Sequence, residues 1–142
     1  MASQSQEVVE QASAIPFRRR KGKLEFCLIT SARKQKWGFP KGMIDPGETF
    51  VETALKVSVE EAGLFGEIVG EPIGCYEYGK WGLWLNVTVV LLEVTRADDE
   101  WDEKHLRRRC WVGQNKARNL LDRAELRALL DDAIERIAAL DV

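Results

Sequence analysis

Apolar and polar positions divide the chain into short runs of different period. Ser13 to Phe17 and Leu24 to Thr30 read as two strands, and the polar run Arg18 to Lys23 between them predicts a hairpin turn. Leu64 to Gly70, Ile73 to Tyr78 and Leu83 to Thr95 read as three more. The last is so continuously apolar and β-branched that a buried strand is expected. Arg108 to Val112 resembles a short strand. Thr49 to Ala62 instead repeats at helical spacing, with Val51, Ala54, Leu55, Ser58 and Ala62 on one stripe and Gly63 placed as a C-terminal stop. Asn115 to Leu121 and Arg123 to Leu140 are also expected to be helical. The second of these aligns Leu126, Leu129, Leu130, Ala133, Ile137 and Leu140 on a face expected to dock onto the domain, with a homodimer contact as the alternative use. Trp37 to Glu48 is dense in Gly and Pro, and Ala97 to Leu106 is charged; both read as loops.

With 142 residues and no internal repeat, the chain is expected to form one domain, residues 13–142, after a polar, frayed leader at 1–12. Its 45% hydrophobic and 31% charged composition is that of an ordinary globular chain. The formal net charge of -2 gives no global attraction to nucleic acid or to a membrane, so any anion recognition must be local. Cys27, Cys75 and Cys110 are scattered, which suggests neither a disulfide framework nor a zinc site. No stretch approaches the roughly 20 apolar residues of a spanning helix, and the first residues lack a signal-peptide pattern, so a cytoplasmic location is expected. A single histidine, His105, excludes histidine-cluster chemistry and leaves a serine-type triad without a recognisable nucleophile motif.

The helix expected from Thr49 carries Glu52, Lys56, Glu60 and Glu61 on the face opposite its apolar stripe, with Glu48 at its N-terminal edge. Adjacent carboxylates resist joint ionisation unless a cation neutralises them. Mg²⁺ is typically held by one or two carboxylates together with substrate phosphate oxygens. The glycine-rich loop just ahead can bring backbone groups to that same phosphate and metal. Lys56 stands one helical turn from both Glu52 and Glu60 and is expected to brace them.

Gly42, five residues, Glu48, seven residues, then Lys56 to Leu64 (Lys-Val-Ser-Val-Glu-Glu-Ala-Gly-Leu) resembles the Nudix box over 23 positions. Trp37 to Gly42 is similar to the segment leading into the box in diadenosine-polyphosphate and diphosphoinositol-polyphosphate hydrolases, and Glu100 to Glu103 followed by Arg107 to Val112 is similar to the late segment of the latter group. The resemblance implies an α/β/α sandwich around a central mixed sheet. It also implies Mg²⁺- or Mn²⁺-assisted attack of water on a diphosphate linkage in a small phosphorylated substrate, nucleoside or inositol polyphosphate. It assigns the metal to Glu61, Glu60 and the loop at Gly42, and catalytic roles to Glu60 and Lys56.

The match departs from the box at Lys56, which replaces an arginine, at Ser58, where the box prefers an apolar residue, and above all at Val57. Val57 stands where relatives carry a glutamate that ligates metal or activates water. On the helical wheel Val57 falls among Thr53, Glu60 and Glu61, on the polar side. Compensation is expected from Glu52 or from an acid between Glu93 and Glu103, such as Glu100. Arg33, Lys41 and Lys80 are candidate phosphate contacts; among the nearby aromatics Tyr76 is assigned to the core and Trp81 to the surface. Three readings follow: a hydrolase, a domain of the same fold that binds such a ligand without cleaving it, and a purely structural module. The last leaves the spacing of Gly42, Glu48, Glu60, Glu61 and Gly63 unexplained.

Overall fold

A computed structural model describes residues 7–141. Eight strands form one mixed sheet: β1 (Val8–Arg20), β2 (Lys23–Thr30), β3 (Trp37–Gly38), β4 (Lys41–Met43), β5 (Leu64–Ile68), β6 (Gly74–Lys80), β7 (Leu83–Ala97) and β8 (Arg109–Val112). Three helices accompany them, α1 (Phe50–Ala62), α2 (Gln114–Leu120) and α3 (Ala124–Leu140). The order β3-β2-β1-β7-β5 forms the spine; β4 pairs with β1, β6 with β7 and β8 with β2. Only the central β1–β7 pair is parallel, in register from Val8 opposite Trp84 to Phe17 opposite Glu93.

The reason the central strands read as continuous apolar runs is that both their faces are covered. Side chains alternate across a strand. Ala12, Ala14, Cys27, Ile29, Val90 and Leu92 pack with Ala54 and Ala62 of α1 on one face, where the strand residues are mostly small. Ile15, Phe17, Phe26, Leu28, Val87, Val89 and Leu91 point the other way, onto Leu126, Leu129, Leu130, Ala133 and Ile137 of α3. The apolar face of the last helix therefore docks on its own sheet; Leu140, expected on that face, is exposed at its end.

Several element bounds differ from the sequence reading. β1 takes up Val8 to Ala12, assigned above to the leader, because Val8 to Phe17 can pair along β7; residues 1–6 of that leader lie outside the described residues. The basic run is mostly strand, with Arg18–Arg20 paired to Lys23–Glu25 around a two-residue turn at Lys21 and Gly22. Both turn residues have positive φ, 53° and 77°, which suits a tight hairpin. Trp81 and Gly82 repeat this geometry between β6 and β7. The segment read wholly as loop contains β3 and β4, too short to show a period.

Helix α1 begins with a complete capping box: Glu52 donates its backbone N–H to the Thr49 hydroxyl and accepts the Thr49 N–H on its carboxylate. Its buried face is rotated from the expected stripe. Thr53, Val57 and Glu61 are buried beside Ala54, Ser58 and Ala62, while Val51 and Leu55 are only half-buried. The buried Ser58 hydroxyl is satisfied by donating to the Ala54 carbonyl at 2.7 Å. Gly63 ends the helix at φ 65°, and a Cβ there would stand 2.8 Å from Trp101 Cβ. Gly63→Ala should therefore lower the unfolding free energy by about 1–3 kcal/mol, from left-handed strain and overlap; urea denaturation with circular dichroism would read this as a reduced midpoint.

Candidate functional site

The site forms where β4 lies against the C-terminal half of α1. Gly42 allows the approach: a Cβ on it would fall 2.6 Å from Val57 Cγ1. Val57 is accordingly 5% exposed, packed beneath the loop strand, so the helical wheel misplaced it among solvated groups. The same approach brings the Lys41 backbone N–H to Glu61, donating to Oε1 at 3.2 Å.

Glu61 is 8% exposed. Burial pushes its carboxyl up to about 7 against the pull of Arg107 and the Lys41 hydrogen bond, and the charge of Glu103 adds to the rise. The Arg107 guanidinium lies 3.6 Å from Glu61 Oε2, donates to Glu103 Oε1 at 2.8 Å and donates to the Thr30 carbonyl at 3.1 Å. One arginine thus stands between two carboxylates. Glu103 is carried by the 98–108 segment, which closes over the end of α1. There the Glu103 N–H donates to the Glu60 carbonyl, the Asp98 N–H to the Gly63 carbonyl and Arg109 Nη1 to the Ala62 carbonyl.

Glu61 sits in the wall of a cleft of about 750 Å³. Cations reach this cleft from separate elements: Arg33, Lys34 and Lys36 from the segment after β2, Lys41 from β4, Lys80 from β6, Arg107 and, just before α3, Arg123. Burial, reinforced by the charge of Lys80, lowers the Lys41 ammonium from its ordinary range. An aromatic side is formed by Tyr76 and Tyr78, stacked 6.1 Å apart, with Arg123 over both rings at 5.3 and 5.2 Å and Lys41 Nζ 5.2 Å from Tyr78. Trp81, 67% exposed, stands at the rim under Lys80. Tyr76 both lines the cleft and packs against the core, so its assignment to the core holds only in part.

Arg33, Lys41, Lys80 and Glu61 are thus brought to one cleft, while other candidates lie elsewhere. Lys56 does not brace Glu52 and Glu60. It donates to Glu48 at 2.7 Å and to Asp45 at 3.0 Å, tying the glycine-rich loop to the helix. That hydrogen bond from Lys56, with others from the Asp45 N–H and the Thr53 hydroxyl, holds the Glu48 carboxyl below its usual range. Glu52 is committed to the helix cap. Glu100 has a side chain 86% exposed and pairs with Lys104, outside the cleft. Glu60 is half-buried next to Glu61 but does not line the cleft. Sequence reasoning missed Arg107 and Arg123 as site residues, and from the acids between Glu93 and Glu103 it singled out Glu100 where the structure brings Glu103 to Arg107. For Glu103 the available signal was the acidic run Glu100 to Glu103; nothing local marks Arg123, which acts through packing against Tyr76 and Tyr78.

Among the described residues no group of three or more His, Cys, Asp or Glu side chains has metal-ligand spacing. A divalent cation such as Mg²⁺ needs only one or two carboxylates when phosphate oxygens complete its shell. Glu61, desolvated and carrying a raised pKa, is a carboxylate that a cation would stabilise; Glu60 and Glu103 are its acidic neighbours. The donor set, hard oxygen throughout, fits Mg²⁺ or Mn²⁺.

A mixed sheet covered by helices on both faces thus carries a desolvated carboxylate in a cation-rich cleft. The chain belongs to the NUDIX domain family, whose model matches residues 9–133. It is 30% identical over 127 residues to the bis(5'-nucleosyl)-tetraphosphatase (asymmetrical) of Caenorhabditis elegans, covering 87% of this chain and 92% of that one. The crystal structure of a C. elegans Ap4A hydrolase binary complex superimposes with a TM-score of 0.82 at 26% identity, over 92% of this chain and 98% of that one. Nudix hydrolase 4 of Arabidopsis thaliana is 32% identical over 107 residues, 73% of this chain. The chain spans about half to two thirds of the plant relatives, 51% of Nudix hydrolase 4 and 64% of Nudix hydrolase 17.

Raising a carboxylic acid from 4.5 to about 7 on folding makes the native state bind its proton more tightly than the unfolded chain does. Glu61 therefore costs no stability below pH 4.5. It becomes destabilising as pH rises through 4.5 to 7, by on the order of 3 kcal/mol above that window. In metal-free protein Glu61→Gln should be the more stable form at pH 8 and lose that advantage at pH 4.5, as measured by urea unfolding at both pH values.

Proposed function

We propose that this chain is a Mg²⁺-dependent hydrolase of a diphosphate linkage within a nucleoside polyphosphate, with dinucleoside tetraphosphates as its first candidate substrates. The observation that carries this reading is Glu61, a buried carboxylate and, among the described residues, the one acid in the wall of a cleft to which seven cations are brought. The tetraphosphatase from C. elegans supports the substrate class. The stacked Tyr76 and Tyr78 and the rim tryptophan Trp81 offer flat surfaces for a base, which favours a nucleotide over an inositol polyphosphate. The lysines and arginines of the cleft would bind the phosphate chain and offset the charge that develops on it.

Glu61 would hold the metal with its neighbour Glu60, while Lys56 acts at a distance by fixing the loop that presents Lys41 and Gly42. When bound, the metal would polarise phosphate oxygens and lower the pKa of its water. With Val57 buried and apolar, the acid that receives the water's proton must come from elsewhere. Glu103 fits that role better than Glu52 or Glu100, because it is joined to Glu61 through Arg107. A second reading, ligand binding without cleavage, is favoured by the burial of Val57, which leaves the usual glutamate position with no polar group.

Turnover of diadenosine tetraphosphate with excess Mg²⁺ separates the two. Hydrolysis is expected, lost on chelation of the metal and in Glu61→Gln, and reduced about 10²- to 10⁴-fold in kcat by Glu103→Gln, the range for removal of a general base. Binding of the same nucleotide without product, with turnover appearing only in Val57→Glu, would establish the second reading instead.

A further inference from the structure

A second recess, of about 700 Å³, is lined in part by Arg107 but not by Glu61. It is open to solvent, and it shares two residues with the main cleft, Arg107 and Trp37. Arg108, Arg109 and Lys104 bring three further positive charges to its walls; Asp99 is the one acid there. Two aromatic rings hold these cations in place. Arg108 Cζ lies 5.1 Å from the Trp37 ring centroid, Arg109 Cζ 4.1 Å and Lys104 Nζ 5.6 Å from that of Trp101.

Of the four cations of this recess Arg107 is paired with Glu103 and Glu61, while Arg108, Arg109 and Lys104 are poorly neutralised. Arg109 spends its hydrogen bonds on the carbonyls of Ala62 and Asp98, which satisfy its N–H groups without cancelling its charge. Arg108 is exposed and pairs with no carboxylate among the described residues, yet its backbone is fixed, because its N–H donates to the Thr30 hydroxyl at 2.9 Å. Of these three only Lys104 has an acidic partner among the described residues, Glu100, whose side chain is 86% exposed and so screens weakly. A concave surface with stacked guanidinium groups and net positive charge is suited to phosphate oxygens, which arginine binds with two parallel N–H groups.

We propose that this recess is a second anion subsite, which takes a phosphate group of the polyphosphate chain lying beyond the linkage cleaved beside Glu61. Arg107 and Trp37 form the passage between the two, so one extended ligand can occupy both. The inference rests on the hydrolase reading above, and it makes the chain selective for ligands with more than two phosphates. Arg108 is the specificity-determining residue, since it faces the recess and takes no part in the Glu61 cluster.

Two measurements on Arg108→Ala test this. With substrates, KM for diadenosine tetraphosphate should rise about tenfold, as expected for one charge-assisted contact, while kcat and the KM for the two-phosphate substrate ADP-ribose stay at wild-type values. Equal increases for both substrates, or none for either, would overturn the subsite. With the base-free probe inorganic tripolyphosphate, tryptophan fluorescence should show binding to the wild-type protein that weakens about tenfold in Arg108→Ala. Wild-type affinity in the variant, or no binding to the wild type, overturns the proposal. If neither substrate is cleaved the hydrolase reading fails, and the tripolyphosphate titration still decides whether the recess binds phosphate.

Discussion

The contact on which the site depends is the approach of the Gly42 backbone to the side chain of Val57. Strand β4 is three residues long and could not hold a position by its own ladder with β1. It is fixed because it lies directly on α1, with no Cβ between them, while the Lys56 ion pairs draw the following loop down onto the same helix. That seating places the Lys41 amide on Glu61, carries the Lys41 side chain toward Tyr78 and seals Val57 from water. A glycine in the loop and an apolar residue in the helix are thus two halves of one packing arrangement. Val57, the apolar half of that pair, is the floor under the loop.

Electrostatically the cleft is lopsided. The chain carries a slight excess of acid, yet its cations converge on one side from elements far apart in sequence, and the buried carboxylate among them is strained toward its neutral form. Arg107 offsets part of that strain on Glu61 and also pairs with Glu103. Binding of a phosphate chain with a divalent cation would relieve both imbalances, since each partner brings the charge that one side of the cleft lacks.

Most of the fold is legible in the sequence because its signals are local. Strand and helix periods, the Gly63 stop and the apolar face of α3 each arise within about a dozen residues. The short strands β3 and β4 are not, because they have too few residues to show a period and exist through their partners. The site divides in the same way. Glu60, Glu61, Gly42 and Lys56 stand out through spacing within one loop and helix, whereas Arg107 and Arg123 join the cleft, and Glu103 meets Arg107, only in the folded chain. Val57 shows the limit of a helical wheel: the wheel describes one helix in isolation and contains no β4 to cover its polar side.

The segment from Asp98 to Arg109 supplies donors to the carbonyls of Glu60, Ala62 and Gly63, which an α-helix ordinarily leaves open at its end. It is therefore less a lid than a cap, and the arginine and glutamate it carries are held by the same bonds that finish the helix. The placement of Arg107 and Glu103 and the termination of the helix become a single cooperative unit. A change in the length of this segment would not yield a looser loop around an intact site; it would fray the last turn of α1 and take Glu61 with it.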